Sequence, residues 1–252
     1  MHRLTSALVA IIVCLGSAAY AAEPSPLTAP AASPVKPCAF SIESGRLLFN
    51  NTGTWASQER VGGSTGEVFC GIATPIGTAY GDVWGYAPWN GLADGGEVDG
   101  RLGLKNQYGP IGIDVSAAIY HFNVLGAGSS DVINMRGKVS YDILSPGSLA
   151  LQVYAMGDYG HAIDLETDEY SVVGGLYAGY QASAQWHLGA TLEVWHHTVA
   201  RETVFSLGPK VTFSVWPDLD VYVRGIYTHG SIVSADPETD KLSGMLGLTY
   251  RF

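Results

Sequence analysis

Residues 240–252 read DKLSGMLGLTYRF, and their alternation decides the fold. Leu242, Gly244, Leu246, Leu248, Tyr250 and Phe252 fall on one face of an extended strand; Lys241, Ser243, Met245, Gly247, Thr249 and Arg251 fall on the other. Successive side chains of a strand point to opposite faces. One face is therefore apolar and ends in aromatic rings, while the other carries cations and hydroxyls. A bilayer-spanning β-barrel needs strands of this kind, apolar toward lipid and polar toward the lumen. An edge strand of a soluble sandwich shows the same period, so the rest of the chain must arbitrate.

The opposite end favours export. Met1-His2-Arg3 is a short basic start, Ala7 to Gly16 is an apolar run, and Ala19-Tyr20-Ala21 matches a small-x-small cleavage site. This predicts a secretory signal peptide over residues 1–21, with cleavage after Ala22 as the alternative. The apolar run is shorter than the roughly 20 residues a spanning helix needs. Cys14 follows Val13 where a lipoprotein signal wants a small residue, which argues against lipid anchoring. Residues 22–44 begin with a Pro- and Ala-rich stretch that stays extended and builds no core. They are expected to form a periplasmic linker ahead of a barrel over 45–252.

Composition agrees with a barrel. The chain carries 32 Gly and 14 Tyr, with only 14% charged residues. Tyr suits a membrane interface, having an apolar ring and a wet hydroxyl. Mean hydropathy is +0.15, low for a helical membrane protein, but only alternate residues of a barrel strand need be apolar. The formal net charge is −10, and loss of Arg3 with the leader takes it near −11. That balance argues against nucleic acid as a partner, because phosphate binding needs a basic surface.

The clear strands come in pairs around turn residues. Glu97–Tyr108 and Ile111–Phe122 flank Gly109-Pro110; Val132–Ile143 and Ser148–Tyr159 flank Ser145-Pro146-Gly147. Glu169–Gln181 and Trp186–His197 flank Ala182–Gln185; Glu202–Ser214 and Leu219–Gly230 flank Trp216-Pro217-Asp218. The uncharged run Tyr170–Leu192 reads as a hairpin, because Gln181, Ser183, Gln185 and His187 occupy its middle. Upstream, Arg46–Ser57, Gly66–Ala73 and Ala79–Trp89 complete about twelve strands, with ten as the alternative. Short turns alternate with longer connections at 123–131, 160–168, 198–201 and 231–239, as at the two rims of an outer-membrane barrel. The resulting fold class is an all-β, antiparallel, up-and-down transmembrane barrel. A lipocalin-like soluble barrel would reverse the faces.

Aromatic girdles are expected at strand ends. Tyr108, Tyr141, Tyr180, Trp186, Trp216, Tyr250 and Phe252 belong to the periplasmic rim, and Trp89, Tyr159, Tyr170 and Tyr227 to the outer rim. The inward faces supply candidate pore-lining residues: Arg101, Lys105, Asp114, Arg136, Lys138, Asp142, Glu193, Lys210, Asp220, Arg224, Lys241 and Arg251, with Asp82, Asp99 and Asp158 beside them. Opposed charges across a lumen can screen solutes. The same charges can instead pair across a narrow barrel and plug it. Twelve strands lie between the filled interiors of about eight and the open channels of 16–18.

Particular segments resemble a known family. Glu67-Val68-Phe69-Cys70-Gly71-Ile72, Tyr80-Gly81-Asp82-Val83-Trp84-Gly85, Glu97-Val98-Asp99, Gly109 through Tyr120 and the terminal Tyr-x-Phe are similar to the TorF-type porin family of small outer-membrane barrels. The resemblance covers roughly residues 66–122. It implies a barrel with a transport role and supplies no substrate. Cys70 stands where that pattern places Arg, so no selectivity is inherited. The terminal Phe252 also resembles the C-terminal signature of bacterial outer-membrane barrels. That likeness implies delivery by the barrel-assembly machinery into the cell outer membrane, among its lipid and lipopolysaccharide.

Other chemistry is sparse. Cys38 and Cys70 are the only cysteines beyond the leader; in an oxidising compartment they either pair or remain free thiols. Cys38 is expected to precede the first strand. His229-Gly230-Ser231, with Glu238 and Asp240 downstream, resembles the triad of barrel-type lipid A deacylases, although Ile232 replaces the Asn of that motif. His196 and His197 are adjacent, so they point to opposite faces and make a poor chelating pair. No phosphate-binding Gly loop or CxxC pair is present, and neither cofactor nor metal is expected. The leading expectation is a passive diffusion pore and not an enzyme. A plugged structural barrel or a surface antigen or adhesin acting through its loops is the alternative, and a lipid A deacylase-like hydrolase the second.

Overall fold

The computed structural model describes residues 36–50, 62–89, 96–122, 130–144, 148–199, 202–230 and 239–252. The leader, most of the linker and the loop segments 123–129 and 231–238 lie outside the described residues. Twelve strands are described: β1 (Cys38–Asn50), β2 (Gly62–Thr74), β3 (Gly77–Pro88), β4 (Glu97–Tyr108), β5 (Ile111–Phe122), β6 (Ser130–Leu144), β7 (Leu149–Ala162), β8 (Thr167–Gln181), β9 (Trp186–His197), β10 (Glu202–Trp216), β11 (Leu219–Gly230) and β12 (Thr239–Arg251). Each is antiparallel to its sequence neighbours, and β1 pairs with β12 to close the barrel. The twelve-strand reading therefore holds, and the ten-strand alternative does not.

Closure answers the question that alternation alone left open. On β5, Ile111, Ile113, Val115 and Ile119 are exposed, while Ala118, Tyr120 and Phe122 are buried. On β6, Ile133, Met135, Val139 and Tyr141 are exposed, while Asn134 and Arg136 are buried. Apolar side chains cover the outside and charges face the lumen, the reverse of a soluble up-and-down barrel. Leu102, Val172, Val223 and Leu246 extend the same exposed apolar face around the barrel. A continuous apolar exterior of this size needs lipid, because soluble monomers rarely expose patches beyond a few hundred Å².

The rims differ as expected. The connections at 75–76, 109–110 and 217–218 are tight, and Gly109 takes the left-handed conformation, φ 59°, that the turn before Pro110 requires. Tyr108, Tyr141, Tyr180, Trp186, Trp216, Tyr250 and Phe252 are all exposed near this short-turn rim. Trp89 and Tyr170 are exposed at the opposite rim. There Tyr159 packs on Tyr170 at 5.0 Å between ring centroids, and Tyr227 meets Phe205 edge-on at 6.4 Å.

Two boundaries are corrected. The first strand begins at Cys38, eight residues before the expected start at Arg46, so the supposed linker boundary at 44/45 falls inside β1. The cause is pairing from both sides: Ala39 through Gly45 run in register against β12 and against β2. Cys38 therefore lies in the first strand and does not precede it. β2 likewise spans Gly62–Thr74, longer than the expected 66–73, because β3 continues the ladder to Pro88 opposite Gly63.

Candidate functional site

The lumen is built from alternate residues of every strand, and three of its features recur at four-strand intervals. Tyr80 on β3 stands opposite Gly103 on β4, Tyr154 on β7 opposite Gly175 on β8, and Tyr222 on β11 opposite Gly247 on β12. In each case a Cβ added to the glycine would strike the tyrosine ring, so the ring lies flat across the neighbouring strand. Each hydroxyl then donates to an acid one strand further on. Tyr80 reaches Asp114 at 2.7 Å, Tyr222 reaches Glu43 at 2.7 Å, and Tyr154 reaches Glu193. The three tyrosines thus bind the inner wall together across three strands at a time.

Cations sit on and beside these braces. Lys138 Nζ lies 3.9 Å from the Tyr154 ring centroid and Lys210 Nζ 3.8 Å from that of Tyr222. Lys105 Nζ lies 5.1 Å from the Phe69 ring and 5.7 Å from Tyr80. Each separation is within the reach of a cation–π attraction. The arginines take carboxylates. Arg101 Nε donates to Asp82 at 2.8 Å, with Glu67 3.9 Å away; Arg224 Nη2 meets Glu43 at 2.5 Å. Arg136 binds Asp158 through Nε at 2.8 Å and Nη2 at 2.6 Å, and Asn134 donates to the same carboxylate. Arg251 binds Asp220, which also accepts from Ser214 at 2.7 Å. Asp142 accepts from Gln152 at 2.7 Å and from Gln107 at 3.1 Å.

All the candidate lining residues with described side chains lie on inward positions; for Lys241 only the backbone is described, paired with Asn50 and Thr228. Glu43, Glu67, Glu97 and Glu169 also face inward, as do Tyr80, Tyr154, Tyr222 and Trp195, none of which the sequence reading places in the lumen; Tyr120 is inward, as its alternation on the fifth strand predicts. Glu43 sits on the part of β1 that the reading left in the linker. Tyr80, Tyr154 and Tyr222 are recognisable from the paired register, because each faces a glycine.

The lumen is not a wide aqueous cylinder. Tyr120, Phe122, Val132, Ala118 and Ala162 form one buried apolar cluster, and Met156, Val173 and Trp195 form another, with Val204 against it. Both lie on the inner wall of β5–β10 toward the long-loop rim. Val173 has no exposed surface at all. The inner wall is accordingly polar along only part of its circumference. Its described charges are unbalanced: Glu43, Glu67, Asp82, Glu97, Asp99, Asp114, Asp142, Asp158, Glu169, Glu193 and Asp220 outnumber Arg101, Lys105, Arg136, Lys138, Lys210, Arg224 and Arg251.

Two further groups bear on alternatives. Cys38 and Cys70 stand directly opposite in the β1–β2 ladder and form a disulfide, with Cα atoms 4.1 Å apart. His196 and His197 do take opposite faces: His196 is exposed, and His197 is buried with Nδ1 2.8 Å from the Ser171 hydroxyl. His229 pairs in register with Asp240; Ser231 and Glu238 of the triad-like motif lie outside the described residues. Among the described residues no cluster of His, Cys, Asp and Glu has the geometry of a metal site.

Comparison with known proteins fixes the fold. No protein-family model matches the sequence, and no curated protein matches it. Solved structures do. The NanC porin superposes with a TM-score of 0.57 at 8% identity, covering 84% of this chain and 100% of that one. The KdgM porin gives 0.53 at 11%, covering 85% and 99%. The translocator domain of the autotransporter NalP from Neisseria meningitidis gives 0.51 at 14%, covering 88% and 90%. The chain has the twelve-stranded fold of outer-membrane barrels, a scaffold shared by porins and an autotransporter translocator alike. At these identities the likeness concerns the fold.

Proposed function

We propose that this chain is an outer-membrane porin of narrow bore that passes ions and small solutes by passive diffusion, with a preference for cations. The observation that carries the reading is the sidedness of the closed barrel: apolar outside, and lined inside by rows of ionisable side chains that a purely structural core would not need. Most of the cations are held on tyrosine faces or carboxylates, whereas the acids are in surplus. A low-dielectric wall bearing excess negative charge concentrates counter-ions in the bore. The porins among the structures of similar fold support the reading, as does the resemblance of residues 66–122 to the TorF-type porins.

The same reading places the barrel among outer-membrane lipid and lipopolysaccharide, with Phe252 as the signal to the assembly machinery and residues 1–21 as a cleaved leader. Proteoliposomes test the transport role. Vesicles containing the refolded chain should swell in iso-osmotic solutions of small solutes and stay unresponsive to a large oligosaccharide. Vesicles that behave like protein-free controls for every solute would favour the plugged barrel.

A further inference from the structure

One block of the inner wall is not accounted for by the ion-pair network. Trp84 and Tyr86 on β3, Asp99 and Glu97 on β4, and Tyr120 and Phe122 on β5 face the lumen side by side. The register sets Trp84 opposite Asp99 and Asp99 opposite Tyr120; one step further toward the long-loop rim, Tyr86 stands opposite Glu97 and Glu97 opposite Phe122. Two acids are thus flanked on both sides by aromatic rings. The rings are ordered in pairs, Trp84 on Tyr86 at 6.5 Å and 9° between planes, and Tyr120 on Phe122 at 6.3 Å and 22°.

No cation accompanies this pair of acids among the described residues. Glu97 and Asp99 are each only 7% exposed, and Oδ1 of Asp99 has no hydrogen-bond partner. Among the described residues neither acid has an ion-pair partner. The next inward cation on β4, Arg101, is bound by Asp82 at 2.8 Å and lies 3.9 Å from Glu67. As anions, two neighbouring carboxyls in a dry setting demand positive charge, either a shared proton or a cation. The rings add to the same demand, because aromatic faces are electrostatically negative. Carboxylate together with aromatic faces is the chemistry that holds alkylammonium groups, whose methyl shell suits a ring and whose charge suits an acid.

We infer that the Glu97–Asp99 block between the β3 and β5 rings is a binding site for an alkylammonium cation within the lumen. It names a solute class for the pore, and in that physiological sense rests on the reading above; binding itself needs no conduction.

Tetramethylammonium is the probe. The refolded full chain in detergent is titrated with its chloride at constant ionic strength, with sodium chloride as the control, and tryptophan fluorescence is followed. Trp84 reports from within the block, and Trp84→Phe removes the reporter while keeping a ring. The expected result is a saturable change with tetramethylammonium alone, absent in Trp84→Phe. The affinity should fall at least about tenfold in Glu97→Gln/Asp99→Asn, which removes the carboxylate charge and keeps the rings. Asp99→Asn alone serves if the double variant does not fold. No saturable response, or equal affinity in the folded carboxamide variants, would overturn the site. A barrel that is silent in bilayers yet binds tetramethylammonium through Glu97 and Asp99 would leave the site standing and refute only the pore.

Discussion

Cys38 and Phe252 exchange both backbone hydrogen bonds, Cys38 N to Phe252 O at 3.2 Å and Phe252 N to Cys38 O at 2.9 Å. The residue that follows the last strand is thus paired with the residue that begins the first, at the seam that closes the barrel. The same Cys38 is bonded covalently to Cys70 on the other side, so the seam strand is held from both flanks.

Loss of that bond should weaken the barrel without abolishing it. The disulfide spans 32 positions, and closing a loop of that size contributes about 3 to 4 kcal/mol. Cys38→Ser/Cys70→Ser is expected to fold, to unfold at lower urea, and to lose the sensitivity to reductant that the parent shows. Equal midpoints for oxidised, reduced and substituted protein would show that the seam is held by the ladder alone.

The tyrosine braces make a position-specific forecast. Gly103→Ala, Gly175→Ala and Gly247→Ala each place a methyl group against a tyrosine ring and should destabilise by about 1–3 kcal/mol. Gly137→Ala, Gly157→Ala and Gly174→Ala place theirs in open space and should be close to neutral. Urea titrations of the six variants separate the two sets, and overlapping values would remove the braces from the energetic account.

Arg136 and Asp158 form a buried pair, so breaking it should cost more than removing it. Arg136→Met leaves the Asp158 carboxylate with only Asn134 and should lose about 3–5 kcal/mol. Arg136→Met/Asp158→Leu should recover a large part of that loss. A double variant no more stable than the single one would mean that the pair itself is strongly favourable.

Lys138 and Lys210 lie nearer a tyrosine face than Lys105 does. Replacing both with Gln removes positive charge from the lumen while keeping chain length. The zero-current potential in a salt gradient should move further toward the cation value. An unchanged potential would show that these lysines do not face the conducting path.

The sequence displayed the barrel where each strand carries its own signal. Ile111–Phe122 and Asp240–Phe252 alternate strictly because one face meets lipid and the other the lumen. β1 was read late because Ser41, Glu43 and Ser44 give no run of large apolar residues; its strand character comes from pairing with β2 and β12, which no local pattern records. Tyr80, Tyr154 and Tyr222 were hidden for a related reason. A tyrosine in one strand looks interfacial until the register shows a glycine beside it and an acid one strand beyond. Glu97 and Asp99 were legible as an acidic pair, but the rings that flank them belong to strands that only the fold brings alongside.

The central claim is that a lumen with surplus acid conducts. The direct test is the single-channel current of the refolded chain in a planar bilayer under a potassium chloride gradient. The account predicts discrete steps of small conductance with a reversal potential on the cation side. A folded, inserted barrel that stays silent, or one that reverses on the anion side, would contradict it.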